Sequence, residues 1–137
     1  MSDLTSIEVC SGAGGQALGL ELAGFGHEAL VEIEPPACAT LRLNRPQWNV
    51  FEQDLRTFNA AGYKGIDLLA GGVPCPPFSK AGKQLGAEDE RDLFPEALRL
   101  VDECRPRAVM LENVRGLLDA VFDEYRINIE IQLKKLG

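Results

Sequence analysis

The chain has 137 residues, ordinary apolar and charged fractions, four cysteines, one histidine and a formal net charge of −7. That length is one domain or part of one, and neither a bilayer-spanning apolar run nor a charged-then-apolar leader is visible. Cys10, Cys38, Cys75 and Cys104 form no Cys-x-x-Cys pair, which argues against a disulfide scaffold and a zinc site and for reduced thiols in a cytoplasm; the acidic balance, on its face, argues against a nucleic-acid partner.

Ile7-Glu8-Val9-Cys10 reads as a short strand. Ser11-Gly12-Ala13-Gly14-Gly15 breaks it, and a helix follows through Ala17, Leu18, Leu20, Leu22 and Ala23 until Gly24 ends it. Strand, glycine loop and helix together open a Rossmann-type unit, in which backbone N–H groups approach an anionic or nucleotide ligand. Gly12-x-Gly14-x-x-Ala17 fits the looser dinucleotide fingerprint, a weak signal because glycine-rich turns are common. Ala29-Leu30-Val31-Glu32-Ile33 is a second strand. Glu32 and Glu34 stand about 20 residues after the glycine loop, where an acid can take ribose hydroxyls or simply be a solvated strand end.

Pro35-Pro36 open a helix whose expected packing face is Cys38, Leu41 and Leu43. Trp48-Asn49-Val50-Phe51 gives a third strand, with Asp54 just after it and a short helix expected over 58–61. Ile66-Asp67-Leu68-Leu69-Ala70 is a fourth strand, stopped by Gly71-Gly72. Then comes Val73-Pro74-Cys75-Pro76-Pro77-Phe78-Ser79. Pro74 and Pro76 hold Cys75 stiffly at the carboxyl end of a strand, where open parallel sheets bind ligands. Cys75 is either a nucleophile there or a small core residue in a proline-rich loop.

A polar loop over 80–90 has the length and composition of a lid or binding loop. A helix over 92–104 places Leu93, Ala97, Leu98 and Val101 on one face and is closed by Pro106. Ala108-Val109-Met110-Leu111 is a fifth strand, leading into Glu112-Asn113-Val114. The last segment fits alternation through Ile127, Ile129, Ile131 and Leu133, or helical spacing through Phe122, Tyr125, Ile129, Leu133 and Leu136. Length and Gly137 favour the helix, which leaves Ile127 and Ile131 as a stripe on another face. Strands alternating with helices make a parallel α/β sheet. The glycine loop, Glu32, Asp54, Cys75 and Glu112 all follow strand ends and fall along one edge of it.

With these residues in order, the sequence resembles the DNA cytosine-5 methyltransferases. The glycine loop looks like their cofactor loop, Pro74-Cys75 with Phe78-Ser79 like their nucleophile motif, and Glu112-Asn113-Val114 like their Glu-Asn-Val motif. Asp89-x-Arg91 and Leu93-Phe94 match the intervening loop and helix start. The resemblance covers the whole chain but only the amino-terminal part of that family's catalytic domain. It implies an S-adenosylmethionine-dependent, Rossmann-like fold with sheet order 3-2-1-4-5, truncated before the later strands and the target-recognition domain.

The resemblance also implies roles. Cys75 is the nucleophile toward carbon 6 of cytosine, Glu112 the acid facing ring nitrogen 3 and kept protonated by burial, and Asn113 the group that fixes its geometry. For S-adenosylmethionine, it places Gly12, Ala13, Gly14 and Gly15 near the methionine moiety, Glu32 on the ribose and Asp54 on the adenine amino group. Ile33 and Leu55 sandwich the adenine, bordered by Pro74 and Leu93. Ser79, Lys80, Lys83 and Arg91 belong to the loop that closes on a flipped base, and residues 76–90 are expected to be poorly ordered without DNA. No metal is implied.

Three positions depart from the pattern: Cys10 stands where the family has phenylalanine, Ile33 where an aromatic residue can stack, and Pro76 where glutamine is usual. The family's downstream arginine motif, recognition domain and final cofactor motif are not in this sequence, so the basic DNA-reading surface, the target sequence and any restriction–modification pairing would belong to them. The lone chain is then expected to be inactive and to self-associate through the Ile127/Ile131 stripe. The rival readings are a non-catalytic cofactor-binding or assembly subunit, and a nicotinamide-dependent dehydrogenase. The latter leaves Cys75 and Glu112 without a task.

Overall fold

The computed structural model describes residues 3–74 and 92–137. Five parallel strands form one sheet in the order 3-2-1-4-5: β1 (Leu4–Val9), β2 (Phe25–Glu32), β3 (Val50–Glu52), β4 (Leu68–Gly72) and β5 (Ala108–Glu112). The expected topology is thus the observed one, with β1 central between β2 and β4. Alternation along the strands splits the apolar residues between two layers. Ile7, Val9, Ala29, Val31 and Leu69 face the larger core, closed by Ala97, Leu100, Val101 and Cys104 of α3 (Phe94–Cys104). Tyr125, Ile129, Leu133 and Leu136 of α4 (Asp123–Leu136) pack against the same core. On the opposite face Leu20 of α1 (Gly15–Leu22) packs with Phe25, Leu68 and Ala70, and α2 (Pro35–Asn44) lies over β2 and β3.

The strand boundaries differ from expectation for identifiable reasons. β1 begins at Leu4 because Leu4, Thr5 and Ser6 pair with Phe25, Gly26 and His27, which draws β2 back to Phe25; the register then slips once between Ser6 and Ile7. Cys10 is outside β1, in the left-handed region at φ 53°. β4 runs two residues later than expected and contains Gly71 and Gly72 rather than stopping at them. A Cβ on Gly71 would lie 2.4 Å from the Val9 carbonyl oxygen, so this glycine is what lets β4 approach β1.

Leu43 is 81% exposed and takes no part in the α2 packing face, which consists of Cys38 and Leu41. The expected helix over 58–61 is replaced by two 3₁₀ turns, Leu55–Thr57 and Ala61–Tyr63, with buried Phe58 between them. The Phe58 carbonyl accepts from Arg99 Nη2 at 3.0 Å instead of continuing a helix. The last segment is helical, as expected, with Ile127 and Ile131 exposed. No helix among the described residues is long and apolar enough to cross a membrane.

Glu8 is an acid inside the central strand. It is 1% exposed, and its in-register neighbours on β2 and β4 are Leu30 and Ala70. Burial pushes its carboxyl from an ordinary 4.5 up to about 8, because the charged form loses its hydration. The folded chain therefore holds a proton that the unfolded chain releases above pH 4.5. Stability is fullest below that value, falls as pH rises toward 8 and levels off above it, by up to about 1.4 kcal/mol per pH unit. Glu8→Gln removes the ionisation. Urea unfolding at pH 5, 7 and 9 should show a declining midpoint for the parent and a flatter profile for Glu8→Gln; parallel profiles would contradict the assignment.

Candidate functional site

The carboxyl ends of β1, β2, β3 and β4 enclose a cleft of ≈ 450 Å³. It is lined by Cys10, Glu32, Ile33, Asp54, Leu55, Pro74 and Leu93, all singled out from the sequence, and by Val31, Glu34, Gln53, Arg56 and Gly72. Its size suits a nucleoside-sized ligand. Ile33, Leu55 and Leu93 give it apolar walls, while Glu32 and Asp54 supply acceptors for hydroxyl or amino groups.

Glu32 is the structural centre of this cleft. Its Oε2 accepts the Gly12 N–H at 2.6 Å, and its Oε1 accepts the N–H groups of Ile33 and Glu34 at 2.9 Å each. A carboxylate offers about four acceptor positions, so one direction is left for a ligand hydroxyl. The Gly12 bond also ties the glycine loop to the end of β2. Gly12, Ala13, Gly14 and Gly15 sit beside the cleft rather than among its lining residues. Gly14, at φ 99°, caps α1. A Cβ there would fall 2.6 Å from Leu41 Cδ2 and 3.3 Å from the Trp48 ring, so its size is dictated by packing against α2.

Asp54 opens the first 3₁₀ turn. Its Oδ1 accepts the Arg56 N–H at 2.9 Å, and Oδ2 lies 3.5 Å from the Arg56 guanidinium. The turn is fastened from below by Arg99, which sequence reasoning missed. Arg99 pairs with Glu96 at 2.7 Å and donates to the Leu55 carbonyl at 3.1 Å, while Glu103, also paired with Arg99, accepts the Ala60 N–H at 2.7 Å. Acids three before and four after an arginine on a helix were the available signal. Cys10 is chemically quiet: burial, then the charges of Glu32 and Asp54, push its thiol up to about 12, so it contributes as a small apolar wall.

The other half of the expected site is reached through β4 and β5. Asn113 Nδ2 donates to the Val73 carbonyl at 2.7 Å, and its Oδ1 accepts the Val114 N–H at 2.8 Å. Asn113 thus joins the end of β5 to the exit of β4, immediately before Pro74. The Leu93 N–H donates to the Pro74 carbonyl at 3.2 Å, which brings the flanks of residues 75–91 together at the cleft wall. Cys75, Ser79, Lys80, Lys83 and Arg91 lie outside the described residues, as does the expectation of disorder over 76–90.

Glu112 ends β5, and its Oε2 would be 3.1 Å from a Cβ on Gly72. Among the described residues it is exposed, on the side of β5 where Ala108 and Met110 are also exposed, and the burial the resemblance implies is not seen there.

Glu32→Ala removes three acceptor contacts at once. It should lower stability by roughly 3 kcal/mol and speed amide exchange at Gly12, Ile33 and Glu34; an unchanged urea midpoint with unchanged exchange would show that the loop is held by something else.

A model of the family described as C-5 cytosine-specific DNA methylase matches residues 4–137. The chain is 72% identical over 133 residues to the Type II methyltransferase M.NgoMIV of Neisseria gonorrhoeae, covering 97% of this chain and 43% of that protein. It is 52% identical over 140 residues to M.NaeI of Lentzea aerocolonigenes, covering 100% of this chain and 34% of the relative. A solved structure of a Spodoptera frugiperda DNMT2 variant superposes with a TM-score of 0.74 at 25% identity, over 98% of this chain and 41% of that one. The chain therefore spans less than half the length of these relatives, and with its parallel sheet, glycine loop and Glu32-centred cleft it belongs to the C-5 cytosine-specific DNA methylase family.

Proposed function

We propose that this chain is the cofactor-binding and base-attacking part of a bacterial, cytoplasmic DNA cytosine-5 methyltransferase, one partial catalytic domain over residues 1–137 completed by further polypeptide that reads DNA. The observation that carries this reading is the cleft, where Cys10, Glu32, Ile33, Asp54, Leu55, Pro74 and Leu93 converge from five separate places in the sequence. Its volume, apolar walls and carboxylate acceptors fit S-adenosylmethionine. Glu32 would hold a ribose hydroxyl through its remaining acceptor direction, Asp54 would take the adenine amino group, and Ile33 and Leu55 would border the ring. When bound, S-adenosylmethionine supplies an electrophilic methyl group.

The chain's own residues prepare the acceptor. Carbon 5 of cytosine is a poor nucleophile until a thiolate adds at carbon 6. Cys75 makes that bond, and its electron pair drives density toward carbon 5 and ring nitrogen 3. Glu112 donates a proton or hydrogen bond at nitrogen 3, which lowers the barrier to addition. Closure of the Ser79–Arg91 loop over a flipped base supplies the burial that Glu112 lacks in the described structure, with Ser79, Lys80 and Lys83 near phosphates. Asn113 holds the β4 exit that leads to Cys75. Once carbon 5 carries the methyl group, loss of its proton to water re-forms the ring double bond and expels Cys75 as thiolate, while nitrogen 3 returns its proton to Glu112. The acidic balance of the chain is compatible with DNA because the basic reading surface belongs to the completing polypeptide.

Purified alone, the chain should transfer no labelled methyl group to duplex DNA. Reconstituted with a completing polypeptide it should do so, and Cys75→Ser should abolish the transfer, since a hydroxyl is far less ionised near neutrality; retained turnover by Cys75→Ser removes Cys75 as nucleophile. The exposed Ile127 and Ile131 on α4 are proposed to drive self-association of the lone chain. Their joint replacement by lysine should lower its weight-average mass in sedimentation, and a mutant that sediments like the parent denies the stripe this role.

A further inference from the structure

β1 turns two different rows of side chains to its two sides. Ile7 and Val9 enter the larger core, while Ser6 and Glu8 face α1. The register fixes this: Ser6 pairs with Leu68 and Glu8 with Ala70, and Leu20 of α1 packs on Leu68 and Ala70. Ser6 is joined to the helix through His27, whose Nδ1 is 2.8 Å from Ser6 Oγ and whose Nε2 donates to the Ala17 carbonyl at 2.8 Å. Glu8 is the next residue of the same row. Gln16 stands one helical turn before Leu20 on the same side of α1. Because α1 runs back from the end of β1, that turn lies nearer the carboxyl edge of the sheet. One turn of helix spans about the rise of two strand residues, which brings Gln16 to the level of Glu8.

Each of these two side chains ends in a buried oxygen that no donor reaches, Glu8 Oε2 and Gln16 Oε1. Buried polar atoms in native structures are satisfied as a rule, and leaving one unmade costs more than a typical hydrogen bond returns. No cation stands in the seam to supply the donor. β4 carries no charged side chain. On β2, His27 is taken by Ser6 and Ala17, Glu28 is exposed, and Glu32 is taken by the N–H groups of Gly12, Ile33 and Glu34. On α1 the charged side chain is Glu21, which is turned to Arg45 and Trp48. Burial alone pushes the Glu8 carboxyl up to about 8, so near neutrality it carries a proton. A neutral carboxylic acid is itself a donor. One proton on Oε2, shared with Gln16 Oε1, satisfies both oxygens in a single hydrogen bond.

We propose that Glu8 is a positioning residue for the glycine loop: as the neutral acid it donates from Oε2 to Gln16 Oε1, and this bond, from three residues before Ser11–Gly15 to one residue after, fixes the two ends of the loop against each other. Glu8 does not line the cleft; it acts through the loop, whose Gly12 N–H is tied to Glu32. Loss of the proton leaves two acceptors opposed and a charge without hydration. The bond is then lost, and the start of α1 is freed from β1. The bond is present below the folded-state value and disappears as pH rises through about 8. The inference deepens the reading of the cleft as a cofactor site and rests on it for the ligand, but not for the behaviour of the loop.

The test follows the 137-residue chain by NMR from pH 6 to 9.5, first without ligand. The carboxyl carbon of Glu8 should titrate near pH 8, and the amides of residues 11–16 should shift with the same midpoint. In Glu8→Gln, whose side-chain amide donates at every pH, those loop shifts should vanish. In Gln16→Met, which removes the acceptor, the loop should no longer follow Glu8. S-adenosylhomocysteine is then titrated by calorimetry: the parent should bind about fivefold more weakly at pH 9.5 than at pH 6.5, and Glu8→Gln should show a smaller loss. The proposal is overturned if Glu8 is ionised at pH 6, if the loop amides stay still while Glu8 titrates, or if Gln16→Met responds like the parent. An equal loss of affinity in parent and Glu8→Gln also overturns it, because the pH dependence then belongs to other groups. Should Glu8→Gln fail to fold, the paired titration of the parent and the response of Gln16→Met decide. A loop that titrates with Glu8 in a chain that binds no S-adenosylhomocysteine at any pH leaves the positioning role standing and counts against the reading of the preceding section.

Discussion

The carboxylate of Glu32 is the interaction on which the rest of the site depends. Parallel strands deliver their carboxyl ends to one edge, but they do not by themselves fix the loops that leave them. Here one side chain gathers the N–H of Gly12 from the loop after β1 and those of Ile33 and Glu34 from the turn after β2. These are backbone donors at sharp turns with no strand partner, and a buried charged acceptor is a strong way to satisfy them. The same oxygens face the cleft. A group that organises the protein's own backbone is thereby presented, already oriented, to a ligand.

The other walls are fixed by comparable devices placed farther out. Arg99 reaches from α3 to the carbonyls of Leu55 and Phe58, so the turn bearing Asp54 and Leu55 is anchored to a helix whose Ala97, Leu100, Val101 and Cys104 lie in the larger core. Asn113 couples β5 to Val73, and the Leu93–Pro74 hydrogen bond closes the base of the segment that carries Cys75. Neither Arg99 nor Asn113 lines the cleft; each holds in place a segment that leads into its wall.

The topology was legible in the sequence because it depends on local patterns: short apolar runs, glycine or proline breaks, and unusual residues after each run. The cleft was legible for the same reason, since the lining residues expected from the sequence follow strand ends, except Leu93, which stands at the start of α3. What escaped was decided by contacts between distant segments. The register slip at Ser6 and the two-residue displacement of β4 depend on how β1 meets its neighbours. The glycines of β4 look like a stop until the Val9 backbone is seen against Gly71. Leu43 is apolar like Cys38 and Leu41, but two residues beyond Leu41 it falls on another side of α2 and is left in solvent. The burial of Glu8 follows from its place on the strand between β2 and β4, which its sequence neighbours do not disclose.

The central claim is that the Glu32-centred cleft is built for S-adenosylmethionine. Two-dimensional amide NMR of the chain titrated with S-adenosylhomocysteine, the unreactive product of the cofactor, tests it most directly. Saturable shifts confined to the amides of residues 10–15, 32–34 and 53–55, with none produced by a nicotinamide dinucleotide, are the expected result. Shifts elsewhere, or an equal response to the dinucleotide in the same cleft, would contradict the account.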